Sequence, residues 1–182
     1  NANLHGVFVL ISKIIEATLG AIETALLAPH AYVLIAIVVL LAWVLANWRV
    51  AVFAGLMLAF CLFAGLWVAS MQTIALVSVA VLISVSVAFP LGILAARVKR
   101  VDAALLPILN IMQTVPPWVY LIPAVMLFSL GRVPAIIATI VYGIPPMLRL
   151  TTLAFKQLPK DLLELGQAMG ASPRHILFKI EL

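Results

Sequence analysis

The residues whose types and spacing could do chemistry lie in two parts of the sequence, and the first is the polar C-terminal segment 157–182. Apolar side chains recur there at three- and four-residue intervals with charged ones between them, which predicts an amphipathic helix that includes Glu164. We expect Gly170 to end this helix, and Ser172 followed by Pro173 to begin a second one. A rigid amphipathic helix can dock in a groove of another protein and follow its motion. The predicted chemistry is therefore binding to a partner.

The second part consists of two apolar stretches that are interrupted by proline pairs, at 116–117 and at 145–146. A helix break at membrane depth leaves backbone groups that protein or cavity water must satisfy, so these breaks predict a path or a gate. The candidates are Gln113, Thr114, Pro116, Pro117, Trp118, Tyr120, Tyr142, Pro145 and Pro146. Aromatic faces could bind a quaternary ammonium group, which has no N–H to donate. Simple packing kinks explain the proline breaks equally well, and Trp and Tyr also collect at membrane interfaces for purely physical reasons, which is the better explanation of the aromatic residues.

No motif in the sequence indicates an enzyme or a metal site. It contains no Gly-rich phosphate loop with Lys and Ser/Thr, no HExxH and no GxSxG, and His5, His30 and His175 lie far apart. We therefore expect no catalytic residue, no metal ligand and no cofactor on this chain. The predicted membrane spans also lack Asp, Glu, Lys and Arg, which proton- and ion-coupled transporters usually carry as relays. If the chain serves transport, its energy is expected to come from elsewhere.

The composition is that of an integral membrane protein, with 66% hydrophobic and 9% charged residues. The expected fold class is all-α, a polytopic helical membrane protein. The excess of 11 Lys+Arg over 6 Asp+Glu is then a topology signal, and nucleic acid is not an expected partner. A single cysteine, Cys61, excludes an intrachain disulfide.

The crossings are predicted from the positions of charges, prolines and turn residues. No charge occurs from Val50 to Ala96, and a helix of that length would extend about 70 Å against a hydrocarbon core of about 30 Å, so the stretch must fold back once. The expected turn is 70–73, and Pro90 is expected to kink the second half. The predicted organisation has three regions: an amphipathic helix at 1–30, transmembrane helices within 31–156, and a cytoplasmic segment at 157–182. The predicted transmembrane helices are 31–46, 50–69, 74–96, 103–130 and 135–148. The last two are each expected to be broken at a proline pair.

The predicted orientation places the N-terminus outside and the C-terminal segment inside. The basic cluster at 97–100 favours the cytoplasm, because positive residues in short loops stay there. Residues 131–134 are expected to turn on the outside. With five crossings, Glu164 reaches the cytoplasm, and every basic residue except Lys13 and Arg132 lies on that side.

A family resemblance adds to these patterns. Glu164, Gly170, Ile180 and Leu182 match the cytoplasmic EAA motif of ABC-importer permeases in identity and spacing. From roughly Leu82 to the end, the chain resembles the permease subunit of glycine betaine/proline (quaternary amine) importers. The segments that carry this resemblance are 112–128, 142–151 and 170–182. Leu165 and Gly166 replace the two alanines of the motif, and a glycine inside a helix costs about 1 kcal/mol relative to alanine.

The resemblance implies a type I ABC-importer permease (MetI-like) fold in a bacterial inner membrane. It also implies three protein partners: an ATP-binding subunit that holds ATP and Mg, a substrate-binding protein, and a second permease copy in a homodimer. The implied ATPase-coupling residues are Glu164, Leu165, Gly166, Ala168, Gly170, Arg174, Ile180 and Leu182. Because the chain ends one position before the proline of the motif, we expect it to be C-terminally truncated.

The implied cargo is glycine betaine, proline or choline, but the EAA motif identifies the coupling and not the solute. An ABC permease for another small solute, and a channel or scaffold that is not coupled to ATP, remain the alternatives. An intramembrane enzyme is disfavoured because the predicted spans lack polar catalytic groups.

Overall fold

The described part of the chain is helical throughout. The computed structural model describes residues 2–158 and Gly170, and within these residues there is no β-strand. The helices are α1 (Ala2–Leu27), α2 (Ala31–Leu45), α3 (Trp48–Phe63), α4 (Trp67–Arg97), α5 (Lys99–Thr114), α6 (Pro117–Phe128) and α7 (Arg132–Lys156). They form two compact units, one comprising Asn1–Val81 and Leu121–Ile137 and the other comprising Leu82–Tyr120 and Ala138–Leu182.

In the first unit, α2 and α3 pack closely around a short capped turn. Asn47 ends the turn as the N-cap of α3, and its side-chain oxygen accepts a hydrogen bond from the Val50 N–H at 3.0 Å. The Arg49 guanidinium lies 5.7 Å from the centre of the Trp48 ring. Gly55 permits the close approach of α2, because a Cβ atom there would lie 2.9 Å from a methyl group of Val39.

A polar triad holds α1 within the same unit. The Glu23 carboxylate accepts a hydrogen bond from the Gln72 amide at 2.8 Å and forms an ion pair with Arg132 at 2.5 Å. Gln72 belongs to α4 and Arg132 begins α7, so one side chain of α1 contacts both helices. These contacts fix the C-terminal half of α1 against the first unit.

The turn predicted at 70–73 is wrong, because these residues lie inside α4. The chain reverses earlier, where Gly65 adopts φ +72°, a conformation that glycine reaches without steric cost. The hydroxyl of Thr73 donates to the Ala69 carbonyl of its own helix at 2.8 Å. Hydroxyl residues satisfied in this way do not need a turn, so the polar composition of 70–73 was a misleading signal.

Other expected interruptions are also helical. The cluster at 97–100 occupies the end of α4 and the start of α5, with only Val98 between the helices. The outer turn is shorter than the predicted 131–134, because α7 begins at Arg132. The expected break at the second proline pair is wrong, since α7 continues through Pro145 and Pro146 to Lys156. Packing of the surrounding turns holds the helix together where the prolines remove two backbone donors.

Two helices in the described residues, α4 and α7, are long and apolar enough to cross a membrane. Two further pairs qualify if each is counted as one bent span: Val9–Leu27 with Ala31–Leu45, bent by 96°, and α5 with α6, bent by 94°. Helix α3 is apolar but shorter. The described residues therefore hold between two and four candidate spans by length and composition, and the predicted five crossings stay a prediction.

Candidate functional site

The break between α5 and α6 lies at the first proline pair. Val115 is extended, with φ −81° and ψ 125°, as the residue before a proline prefers. The Ile111 carbonyl, near the end of α5, accepts three hydrogen bonds: from the Val115 N–H at 3.0 Å, from the Thr114 hydroxyl at 3.1 Å and from the Tyr120 hydroxyl at 3.3 Å. Side chains from both sides of the break thus donate to this carbonyl, together with the Val115 N–H.

The other candidates at this break differ in exposure. Trp118 is 73% exposed, and Gln113 and Pro116 are exposed as well, whereas Pro117 is only partly so. The Gln113 amide and the Trp118 ring are thus the exposed polar and aromatic groups of this break among the candidates. The break therefore presents one amide and one large aromatic face.

The candidates on α7 do not share one environment. Tyr142 is 56% exposed and Pro146 is also exposed, whereas Pro145 is fully buried. Between them, a Cβ atom on Gly143 would lie 3.1 Å from the Ser84 hydroxyl, so α7 and α4 approach closely there. Within the described residues, no hydrogen bond joins Tyr142 to the break between α5 and α6. Pro145 is thus placed for packing, whereas Tyr142 and Pro146 are exposed.

Three polar contacts join the C-terminal half of α7 to α4 and α5 in the second unit. We call them the α7 ties, and they are Thr152 Oγ1 to the Gly92 carbonyl at 3.2 Å, Arg149 Nη2 to Asn110 Oδ1 at 2.5 Å, and Lys156 Nζ to Asp102 Oδ2 at 2.5 Å. The partners on α5 occur in reverse order to those on α7, so the two helices run antiparallel. The last of these ties is made by Lys156, the final residue of α7.

An apolar core lies beside the α7 ties. The buried residues Ala88, Leu109 and Leu148 come from α4, α5 and α7, respectively, and further partly buried side chains of the same helices surround them. The rings of Phe89 and Phe155 meet edge to face with centroids 6.3 Å apart. Packed and tied in this way, the three helices are expected to move together where α7 leads into the C-terminal segment.

Most of the predicted coupling residues lie outside the described residues. These are Glu164, Leu165, Gly166, Ala168, Arg174, Ile180 and Leu182. Gly170 is described, and it forms a turn with φ +74°. This left-handed conformation is the one that glycine commonly adopts just past the end of a helix.

Sequence reasoning missed the residues of the α7 ties, because Asp102 and Arg149 were assigned to loops. Both lie inside helices in the structure. One signal was present in the sequence: Asp102 and Asn110 are eight residues apart on one helix, while Arg149 and Lys156 are seven apart on another. Residues at such spacings share one helix face, so the two pairs could have been matched.

A family model for the binding-protein-dependent transport system inner membrane component matches residues 88–182, which include the break, the α7 ties and the C-terminal segment. The chain belongs to this family. The resemblance to importer permeases is thereby confirmed, and so is the all-α membrane-protein fold class. Membership also identifies the chain as an integral component of an inner membrane and as a transport component rather than an enzyme.

Three curated relatives illustrate the similarity within this family. The chain is 39% identical over 168 residues to the glycine betaine/proline betaine transport system permease protein ProW of Escherichia coli, a match that covers 92% of the chain and 48% of that relative. It is 36% identical over 177 residues to the glycine betaine transport system permease protein OpuAB of Bacillus subtilis, covering 97% and 63%, respectively. It is also 36% identical over 142 residues to the trimethylamine N-oxide transport system permease protein TmoV of Pelagibacter ubique, covering 78% and 20%. The chain therefore spans less than two thirds of the length of each.

Proposed function

We propose that this chain is the permease subunit of an ATP-driven importer for small quaternary-amine osmolytes such as glycine betaine, proline betaine or choline. It would form part of the translocation path and receive its driving force from a separate ATP-binding subunit through the segment 157–182. Two copies of the chain would line the path, and a substrate-binding protein would deliver the solute. We further propose that the chain crosses the inner membrane five times.

The observation that carries the proposal is the connection that the α7 ties make. The segment with the EAA-like spacing directly follows α7, and the ties join the end of α7 to α4 and α5. Helix α5 in turn ends at the break between Thr114 and Pro117. A displacement of the segment by an ATPase would therefore be transmitted to α5, and through α5 to the candidate path.

The cargo is proposed from the relatives and from the exposed aromatic residues. The names of the Escherichia coli and Bacillus subtilis relatives specify betaines. Trp118 and Tyr142 are exposed in the described residues, and aromatic faces are the groups that attract a quaternary ammonium. The relative named for trimethylamine N-oxide, at 36% identity, supports a second candidate within the same class, a permease for another small methylated amine.

The test is solute-stimulated ATP hydrolysis by the full-length protein, reconstituted with its ATP-binding subunit and binding protein. We compare the native protein with Glu164→Ala and, as a matched control, with Asp161→Ala, which removes the same charge three residues earlier. Hydrolysis stimulated by glycine betaine should be lost in Glu164→Ala and retained in Asp161→Ala.

Each alternative has its own outcome in this assay. Stimulation by trimethylamine N-oxide alone would keep the importer and reject the betaine assignment. If Glu164→Ala were as active as the native protein, Glu164 would have no part in coupling. Solute flux without ATP and without the ATP-binding subunit would instead indicate a channel.

A further inference from the structure

The C-terminal half of α7 and the N-terminal half of α5 line an open cavity of about 170 Å³ in the second unit. Five leucines form most of its wall: Leu105, Leu106, Leu109, Leu148 and Leu153. Its polar lining consists of Asp102, Arg149, Thr152 and Lys156. The cavity lining thus combines leucines with charged side chains, a composition that an amphiphilic molecule would match.

The charges that line the cavity do not cancel. Lys156 pairs with Asp102, but Arg149 donates to the neutral amide of Asn110, so a positive charge remains. Among the described residues, Arg149 Nε has no hydrogen-bond partner although it is buried. A buried donor without a partner is costly, and a guanidinium prefers a bidentate oxyanion to a single amide oxygen.

The two cations lie at different depths along α7. Arg149 and Lys156 are seven residues apart, a rise of about 10 Å at 1.5 Å per residue. The polar interface on each side of a bilayer is about 5–7 Å thick, so this pair covers the depth of a lipid headgroup region. The predicted topology places this end of α7 on the cytoplasmic side, where anionic lipids bind basic pockets between helices.

We propose that this cavity is a binding site for an anionic phospholipid, with its negatively charged headgroup between Arg149 and Lys156 and an acyl chain along the leucines. Free inorganic phosphate would use a cation but leave the leucines without a contact. A zwitterionic lipid would use the leucines but carry its own cation toward Arg149 and Lys156. An anionic phospholipid matches both the leucines and the cations.

The site lies on the α7 ties, so occupancy would act on them directly. A headgroup oxygen beside Lys156 would compete with Asp102 for the ammonium group, and one beside Arg149 would add an anionic partner to a guanidinium that bonds to the neutral Asn110 amide. The lipid would therefore replace part of the contact between α5 and α7 with contacts of its own, at the end where α7 leads into the C-terminal segment.

The experiment measures bound lipid by native mass spectrometry of the full-length protein in detergent, with dioleoyl phosphatidylglycerol and dioleoyl phosphatidylcholine supplied in equal amounts. The native protein should retain phosphatidylglycerol preferentially. Arg149→Gln and Lys156→Gln should each lower that preference about fivefold, which corresponds to the loss of about 1 kcal/mol per cation near an anionic lipid. Arg49→Gln removes the same charge from the first turn of α3, on the same predicted side, and should leave the preference unchanged.

Two further variants separate lipid binding from a purely structural role. Asp102→Asn removes the competing carboxylate and should raise the preference for phosphatidylglycerol, although it breaks the same ion pair as Lys156→Gln. If both variants lowered it equally, the contacts would be structural only and the proposal would be overturned. Leu106→Asn, at a leucine that is 47% exposed, should weaken retention of the lipid.

The remaining outcomes identify other ligands or none. Displacement of phosphatidylglycerol by an excess of inorganic phosphate, with no effect of Leu106→Asn, would assign the site to a free phosphate and reject a lipid. An equal loss of preference in Arg49→Gln would reduce the effect to general surface charge. Retention of both lipids in equal amounts by the native protein would also overturn the proposal.

Discussion

The substitution Gly92→Ala tests the close contact between α4 and α7. A Cβ atom at Gly92 would lie 2.7 Å from Cβ and 2.8 Å from Cγ2 of Thr151, and 3.1 Å from the Leu148 carbonyl oxygen. Thr151 is only 6% exposed and its hydroxyl is bonded to the Met147 carbonyl, so it has little room to move. Extra atoms in a packed interior cost about 1–3 kcal/mol.

Part of this cost is offset by helix propensity. Because Thr151 is buried and bonded, the clash is expected in the upper part of that range, about 2–3 kcal/mol. Alanine in a helix is favoured over glycine by about 0.5–1 kcal/mol, so the net loss of unfolding free energy for Gly92→Ala is about 1–2.5 kcal/mol. For a chain of this size, 1 kcal/mol shifts the melting temperature by about 2–4 °C, so the expected decrease is about 2–10 °C.

The assay is thermal unfolding of the purified protein in detergent, followed by circular dichroism at a helix wavelength. Gly20→Ala on α1 is the matched control, because a Cβ atom there would meet nothing within 4 Å. It should raise the melting temperature by about 1–4 °C from propensity alone. Adding Thr151→Ala to Gly92→Ala should restore part of the loss, since it removes Cγ2.

The result that would refute this reasoning is a Gly92→Ala protein that is stabilised as much as Gly20→Ala. The clash with Thr151 would then be relieved at no cost, and α4 and α7 could not be in close contact at that point. A double variant with Thr151→Ala that lost the sum of the two single effects would lead to the same conclusion.

Two smaller predictions concern backbone conformation and the α5–α6 break, and both are measured as melting temperatures in the same assay. Ser129 has φ +66°, so Ser129→Gly should be neutral or stabilising by up to about 1 kcal/mol, whereas Gly65→Ala, at φ +72°, should cost about 1 kcal/mol. The opposite order would contradict the assigned conformations. Thr114→Val and Tyr120→Phe should each cost about 0.5–1 kcal/mol, and the double variant about their sum, because the Val115 N–H still donates to the Ile111 carbonyl. A loss well above the sum would indicate that the Val115 N–H does not satisfy this carbonyl.

The transport proposal depends on the α7 ties more than on any single candidate of the path. The ties join α7 to α4 and α5 through one backbone and two side-chain contacts on the side of the predicted ATPase. The path candidates themselves divide between exposed residues such as Trp118 and the buried Pro145. Variants of the ties should therefore affect the coupling of hydrolysis to uptake, and variants at Trp118 should affect the choice of solute.

Local chemistry in the sequence by itself determined the membrane class, the family and the position of one helix break. A composition of 66% hydrophobic residues excludes a soluble domain. The break before Pro117 was predictable because a proline restricts the residue before it and removes a backbone donor wherever it occurs. Asn47 likewise caps α3 through a contact only three residues away. None of these features depends on a distant partner.

Only the tertiary structure decided which polar residues pair and which interruptions are real. The predicted turn at 70–73 and the predicted break at Pro145-Pro146 are both helical, because hydroxyl groups bond to their own helix and packing outweighs the missing proline donors. The contacts of Asp102 with Lys156 and of Gly92 with Thr152 join residues more than 50 positions apart in the chain. Their free energy depends on the antiparallel placement of α5 against α7 and on the approach of α4, which sequence spacing along one helix does not specify.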